Sequence, residues 1–229
     1  MVLKKSEVFL SLQGEGLHQN EPTVFIRAQG CNLVPSCLYC DTAFAQDGSK
    51  GEEISVEEVV REVNTLLPNY KGWVCITGGE PLQQVNEVEQ LVRELKKVGY
   101  RITIETNGSF PPPRWYTLVD SWSTDIKCPS SGVCGVSLRD WWKTRYTDQI
   151  KLVVGTKEDL EFAQREITNH ITKSPRVLIS PIMKIKDTTK GRTVINLPFL
   201  QEVWEFCVAN RVRWSLQQHK IVFGNRKGV

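Results

Sequence analysis

What the chain lacks narrows the reading first. No run of about 18 apolar residues occurs, so no segment is expected to cross a membrane as a helix. Residues 1–16 hold no continuous apolar stretch leading into a small-residue cleavage site, and a soluble, cytoplasmic protein with no membrane partner is expected. The 29 basic and 26 acidic residues are interspersed, for a net charge of +3, with no long basic block. That sets aside a nucleic-acid-binding tail and suits a small anionic ligand better than DNA or RNA. No internal repeat and no low-complexity segment interrupts the chain, which sets aside repeat architectures.

An even set of spaced cysteines is also missing. There are seven, and three of them fall within ten residues, which in a reducing compartment reads as metal or redox chemistry rather than a disulfide framework. Cys75, Cys128, Cys134 and Cys207 are scattered and read as ordinary buried or loop thiols. The 229 residues, 40% of them hydrophobic, suffice for one sizeable core, so a single domain spanning residues 1–229 is expected.

Apolar, β-branched runs alternate with segments of helical period. Residues 23–28, 73–77, 101–106, 121–126, 149–155, 176–182 and 211–218 read as strands, and 55–67, 85–98, 158–171 and 195–210 as helices. This alternation is the signature of βαβ units on a parallel sheet, with about six β/α repeats. Ser55 followed by Glu57 and Glu58 marks a helix start, and Gly72 and Gly99 mark releases from helices. Three consecutive prolines at 111–113 place a surface loop over residues 109–114. In such sheets ligands bind beyond the carboxyl ends of the strands. Four polar segments sit at those ends: Thr77-Gly78-Gly79-Glu80-Pro81, Glu105-Thr106-Asn107-Gly108, Ser123-Thr124-Asp125-Ile126-Lys127 and Ser180-Pro181-Ile182.

Cys31, Cys37 and Cys40 put three soft thiolates in one loop, residues 31–40, straight after a strand. Thiolates select zinc or iron–sulfur sites. A structural zinc wants four protein ligands, and no fourth cysteine or histidine lies near in sequence, although a distant one could complete the set. An iron–sulfur cluster also commonly takes four cysteines, so a three-cysteine cluster leaves one iron open to another ligand.

The three-cysteine loop followed by Gly78-Gly79-Glu80-Pro81 resembles the radical S-adenosylmethionine (SAM) superfamily, whose commonest cysteine spacing has a first gap of three residues where this chain has five. The resemblance implies an α/β fold, an incomplete (β/α)6 radical SAM barrel with parallel strands. It also implies a 4Fe-4S cluster on Cys31, Cys37 and Cys40, with SAM chelated at the open iron. SAM would then contact Gly78, Gly79, Glu80, Glu105, Asn107, Ser123, Asp125, Lys127 and Ser180.

The segment Phe9-Leu10-Ser11-Leu12-Gln13-Gly14-Glu15-Gly16, then Phe25-Ile26-Arg27, Gly30-Cys31-Asn32-Leu33, Cys40-Asp41-Thr42 and Gln218-His219-Lys220, is similar to the 7-carboxy-7-deazaguanine synthase family over essentially the whole chain. That likeness implies conversion of 6-carboxy-5,6,7,8-tetrahydropterin to 7-carboxy-7-deazaguanine with loss of ammonia, on the deazapurine route to queuosine and preQ0. It implies Mg2+ on Thr42 and substrate contacts from Leu12, Gln13, Gly14, Glu15, Arg27, Thr77 and His219. A flavodoxin or ferredoxin as electron donor and a homodimer follow from the same likeness. No catalytic side chain beyond cluster and SAM is implied.

Arg27 offers the planar, permanently charged fork that a substrate carboxylate wants, and Mg2+ prefers few protein oxygens with the rest from substrate and water. Set against these, Arg27 could merely pair with a carboxylate, Thr42 could be a cap hydroxyl, and His219 could be a satisfied core histidine. Trp115, Trp122, Trp141, Trp142, Trp204 and Trp214 read mostly as core or dimer-interface residues, with no shared face in their spacing. Two further readings stand beside the main one: a glycyl-radical-enzyme activase, and a non-catalytic zinc or Fe-S binding module.

Overall fold

Side chains alternate inward and outward along a set of parallel strands, and that alternation organises the molecule. The computed structural model describes residues 1–170, 176–187, 192–194, 196–224 and 226–229. Strand β1 (Val2–Leu12) pairs antiparallel with β2 (Pro22–Ala28) and with the short edge strand β3 (Glu52–Ser55). From β2 the sheet runs parallel through β4 (Trp73–Gly78), β5 (Arg101–Thr106), β6 (Ser121–Ile126), β7 (Gln149–Val154) and β8 (Arg176–Pro181). A separate antiparallel pair, β9 (Lys184–Asp187) and β10 (Arg192–Val194), precedes the last parallel strand, β11 (Arg213–Trp214). The sheet order is β11-β8-β7-β6-β5-β4-β2-β1-β3. The expected parallel α/β architecture is present. The antiparallel β1 and β3, which no periodicity had marked, are an addition to it.

Four long helices cover the outside: α1 (Val56–Leu66), α2 (Val85–Val98), α3 (Lys157–His170) and α4 (Leu197–Asn210), with a short α5 (Gln218–Phe223) near the end. Ser55 and Glu58 form a reciprocal capping box at the start of α1, which satisfies two otherwise unpaired backbone donors. Gly99 ends α2 in the left-handed conformation that only glycine adopts freely. Gly72 follows α1, which ends at Leu66, and releases the chain directly into β4 as expected. Val56, Val59 and Val63 of α1, with Val88, Leu91, Val92 and Leu95 of α2, are buried in the core, each fully buried aliphatic side chain worth about 1.5–3 kcal/mol.

The expected six β/α repeats are incomplete. No α-helix follows β5 or β6, where only single turns of 3-10 helix occur. Tryptophans fill the space instead. Trp122 on β6 packs against Trp115 and Trp141, with ring centroids at 5.7 and 5.2 Å, and the indole N–H groups of Trp122 and Trp141 donate to the carbonyls of Tyr116 and Phe110. Three tryptophans from separate segments thus meet on one outer face that their spacing did not reveal. Trp204 on α4 meets Trp214 edge to face and is half exposed.

The outward residues of the parallel strands, among them Val74, Ile76, Ile102, Ile104, Trp122, Ile150 and Leu152, belong to the core. The inward ones are largely polar and face a lumen. The sheet's two ends are joined by the residues after β1: Gly16 N–H donates to Ser215 Oγ at 2.9 Å, Gln19 Nε2 to the Leu216 carbonyl at 3.0 Å, and Gln218 N–H to the Gly14 carbonyl at 3.0 Å. The incomplete barrel is closed by side chains and loop backbone. No helix among the described residues is long and apolar enough to cross a membrane.

Candidate active site

One cavity of about 240 Å³ opens from the lumen toward the carboxyl ends of the strands. Its lining includes Leu12, Gln13, Gly14, Glu15, Arg27, Cys31, Cys37, Cys40, Thr42, Thr77, Gly78, Gly79, Glu105, Asn107, Asp125, Lys127 and His219. These residues come from seven separate stretches of chain, and the fold brings them to one chamber.

The cysteine loop departs from β2 and is anchored at both ends. Cys31 N–H donates to the Gln46 carbonyl at 3.0 Å, and Leu38 N–H to the Ser131 carbonyl at 2.9 Å. Between them Leu33 turns into the cavity while Val34 stands 90% exposed, so the longer first gap is an excursion to solvent between two inward-facing cysteines. Burial pushes the Cys31 and Cys37 thiols up. Among the described residues no three Cys, His, Asp or Glu side chains converge on a single ion position. Three thiolates from one loop, facing a cavity with room beyond them, suit an Fe-S cluster that offers a separate iron to each thiolate and leaves one iron open. The remaining scattered thiols are as expected, with Cys75, Cys128 and Cys207 buried and Cys134 exposed.

Gly78 and Gly79 are glycines for a reason different from ligand approach alone. A Cβ on Gly78, whose φ is +131°, would lie 2.2 Å from the Ala28 carbonyl oxygen, and one on Gly79 would lie 1.9 Å from that of Gly30. The end of β4 is packed directly against the root of the cysteine loop, and only glycine allows that approach. Asn107 faces the loop from β5's end: its Nδ2 lies 4.0 Å from Cys31 Sγ and donates to Asn32 Oδ1 at 3.1 Å, and its Oδ1 accepts from Ser109 N–H at 2.9 Å. Asp125 and Lys127 pair at 2.9 Å beside the cysteines. Burial opposes charge on both, but each holds the other ionised, with Asp125 below the usual carboxylate range and Lys127 above the usual ammonium range.

Three residues expected to contact SAM lie off the cavity. Glu80 is fully buried and accepts from Leu82 N–H at 2.9 Å, Thr106 Oγ1 at 2.9 Å and Asn107 N–H at 2.7 Å, so its carboxylate builds the turn and holds Asn107 rather than facing a ligand. Burial outweighs these donors and raises its pKa to about 7. Ser123 Oγ accepts from Gln149 Nε2 at 2.6 Å within the barrel. Ser180 is buried with its hydroxyl unpartnered, outside the cavity lining.

Deeper in the lumen a second group gathers. Glu105 accepts from Thr77 Oγ1 at 2.9 Å and from Gln13 Nε2 at 3.3 Å, and burial raises its pKa. Its place is with Gln13 and Thr77, not with the cysteines. Arg27 donates through Nε to Glu7 Oε1 at 2.7 Å, a contact that engages one of its five N–H donors, and it lies over the rings of Phe9 and Phe44. Thr42 Oγ1 sits 3.6 Å from Cys40 Sγ and makes no cap hydrogen bond to the turn that follows. His219 packs against Gly14, where a Cβ would lie 2.2 Å from its Nδ1, and burial lowers its pKa, so the ring is neutral near pH 7.

Sequence reading missed Lys151, Tyr39 and residues 226–228, all on the cavity. A lone lysine in the apolar run of β7 was the available signal for the first. Tyr39, between two of the cysteines, carries a buried hydroxyl with no protein partner.

A partly parallel barrel with three cysteines at its mouth and two glycines packed under their loop defines the class: this is a radical SAM fold. The superfamily's sequence model, described as "Radical SAM superfamily", matches residues 25–121. The chain is 46% identical over 181 residues to a 7-carboxy-7-deazaguanine synthase from Methanospirillum hungatei, covering 79% of this chain and 73% of that one. It is 31% identical to one from Pyrobaculum aerophilum, over 97% of this chain and 95% of that one. The crystal structure of QueE from Escherichia coli superposes with a TM-score of 0.75 at 26% identity, over 96% of this chain and 95% of that one. The chain belongs to the 7-carboxy-7-deazaguanine synthase family.

Proposed function

We propose that the chain converts 6-carboxy-5,6,7,8-tetrahydropterin to 7-carboxy-7-deazaguanine with loss of ammonia, acting in the cytoplasm in 7-deazapurine (queuosine, preQ0) biosynthesis. The observation that carries this reading is that a single cavity joins three cluster-type thiols to a region lined by Gln13, Glu15, Thr77 and Glu105, whose donors and acceptors suit the edge of a pterin. The reaction is an isomerising elimination with no net oxidant, so the protein's task is to orient one substrate and exclude competing chemistry.

When bound, the cluster and SAM supply a carbon radical able to take a hydrogen atom from a C–H bond. Cys31, Cys37 and Cys40 hold the cluster, and Gly78, Gly79, Asn107, Asp125 and Lys127 surround the SAM side of the chamber. Lys127 offers a charge to a carboxylate and Asp125 to an ammonium or a ribose hydroxyl. Gln13, Glu15, Thr77 and Glu105 present acceptors and donors to the pterin edge, with backbone groups of Leu12 and Gly14 beside them. Arg27 takes the substrate carboxylate, and neutral His219 is available as a hydrogen-bond partner rather than a charge. Thr42, hydroxyl uncapped and facing the cavity, supplies the protein oxygen for Mg2+, the remaining ligands coming from substrate and water.

A flavodoxin or ferredoxin is the class of donor proposed to reduce the cluster. Self-association into a homodimer has a candidate surface in the apolar stripe of α4, where Leu197, Trp204 and Val208 are exposed; sedimentation of a Trp204→Glu variant tests it.

The deciding experiment is anaerobic incubation of cluster-loaded protein with strong reductant, SAM and 6-carboxytetrahydropterin, followed by mass analysis. A deazaguanine product is expected. Release of 5′-deoxyadenosine without it would refute the substrate assignment, and colourless protein unable to cleave SAM would refute the cluster.

A further inference from the structure

We propose that Lys151 is a positioning residue of this reaction, whose ammonium ties Glu15 on the pterin side of the chamber to Asp125 on the SAM side and holds the two in fixed register. The inference rests on the reading of the chamber given above.

Lys151 lies midway along β7, directly beside Asp125 of β6 in the sheet register, between the apolar Ile150 and Leu152 that point outward into the core. Its own side chain turns inward and is 7% exposed. Nζ lies 3.3 Å from Glu15 Oε2 and 3.2 Å from Asp125 Oδ1, and the other oxygen of Asp125 is held by Lys127 at 2.9 Å. Among the described residues, Glu15 Oε2 is buried without a hydrogen-bond partner, and its ion pair is to Lys151. Chain order would let Glu15 drift, because it sits in a loop that spans the barrel's open side. One strand secures that loop at two points: Gln149 Oε1 accepts from Leu17 N–H at 2.7 Å, and Lys151, two residues on and on the same inward face, takes the Glu15 carboxylate.

Burying a lysine among carboxylates is a poor way to gain stability, since desolvation consumes most of the attraction and an apolar residue of similar size commonly does as well. Burial disfavours the ammonium here, yet the carboxylates of Asp125, Glu15 and Glu105 outweigh it and hold the pKa well above lysine's usual value. The charge is therefore permanent through the physiological range, which suits a fixed strut and not a proton carrier. Lys151 links Glu15, Asp125 and, through Asp125, Lys127 into a row that crosses the floor of the cavity from the loop after β1 to the cysteines.

The test uses cluster-loaded protein held anaerobically, with calorimetric affinities for SAM and for 6-carboxytetrahydropterin in the presence of SAM. Wild type, Lys151→Met, Glu15→Gln and the double variant are compared, with melting temperature and iron content as controls. Removal of a close charge-pair partner is expected to weaken pterin binding about 10–100-fold, while SAM affinity changes less than about threefold. The ratio of 5′-deoxyadenosine to deazaguanine product rises in the Met variant, because a misplaced substrate leaves the radical unused.

The double variant is decisive even where Lys151→Met alone loads cluster poorly, since removing both charges leaves no unpaired Glu15. It is expected to bind pterin no worse than Glu15→Gln. A further tenfold loss in the double variant, or wild-type pterin affinity and product ratio in Lys151→Met, overturns the proposal. Failure of the wild-type protein itself to bind the pterin would instead overturn the substrate assignment.

Discussion

Glu80 offers a prediction whose size and sign follow from the structure. Its carboxyl is fully buried, receives three donors and has a pKa raised from 4.5 to about 7 by burial. In the unfolded chain it ionises near its ordinary value. Between those two pH values the native state keeps a proton that the unfolded state has released, so native Glu80 contributes its stability in full below 4.5 and loses it as pH rises to about 7. At about 1.4 kcal/mol per pH unit that interval amounts to about 3 kcal/mol. Glu80→Gln is permanently neutral and lacks this slope. Its amide nitrogen also faces a donor, the Asn107 or Leu82 N–H, which costs about 1–3 kcal/mol at every pH. The variant is therefore less stable than wild type in acid, and the gap narrows or reverses as pH rises. For a chain of this length the change in the difference of melting temperatures is about 6–12 °C from about pH 4.5 to about pH 8. The assay is thermal unfolding of both proteins in matched buffers, followed by far-ultraviolet circular dichroism. Parallel curves for the two proteins would show that the burial of Glu80 does not govern its ionisation, and the argument would fall.

Gly79→Ala places a methyl group 1.9 Å from the Gly30 carbonyl oxygen, so the root of the cysteine loop must shift, at a cost of about 1–3 kcal/mol or more. Iron and sulfide content after reconstitution should fall, and wild-type loading would refute the packing reason given for this glycine. Trp122→Ala empties the space where helices are missing outside β5 and β6 and should lower stability by about 3–5 kcal/mol in denaturant unfolding. Ser55→Ala breaks the capping box of α1, far from the cavity, and should cost about 1 kcal/mol with KM and kcat unchanged. Arg27→Lys keeps the charge but loses the planar fork, so KM for the pterin should rise about tenfold while SAM affinity holds; an unchanged KM would leave Arg27 as a partner of Glu7 alone.

Much of the fold was legible from local pattern. Six of the seven strand segments and the four long helices appear where apolar periodicity put them, because burial on one face imposes a period of 2 or 3.6 on the residues themselves; over 211–218 only Arg213–Trp214 is strand, and Gln218 opens α5. Four strands escaped notice: β1 mixes charged and apolar residues, β3 is only four residues long, and β9 and β10 form a short pair apart from the main sheet. The missing helices after β5 and β6 escaped too, since the rule that a crossover carries a helix says nothing of tryptophans from three segments doing the same work.

The three cysteines needed no structure to be singled out, for a cluster's ligands share one loop and their spacing is local. What the sequence alone determined was therefore the class of chemistry and the strand ends where it happens. Tertiary structure decided which strand-end polar residues reach the cavity. Glu80, in the most distinctive motif after the cysteines, turns away into the backbone of its own turn, while Glu105 joins Thr77 of the adjacent strand and Gln13 beyond it. Lys151, which carries no motif at all, lines the cavity and pairs with both Glu15 and Asp125. Motifs record which residue types lie near one another along the chain. Whether a buried carboxylate meets a backbone amide, a lysine or a ligand depends on the residues the sheet brings opposite it, and those come from up to a hundred and more positions away, as Glu15 and Lys151 do.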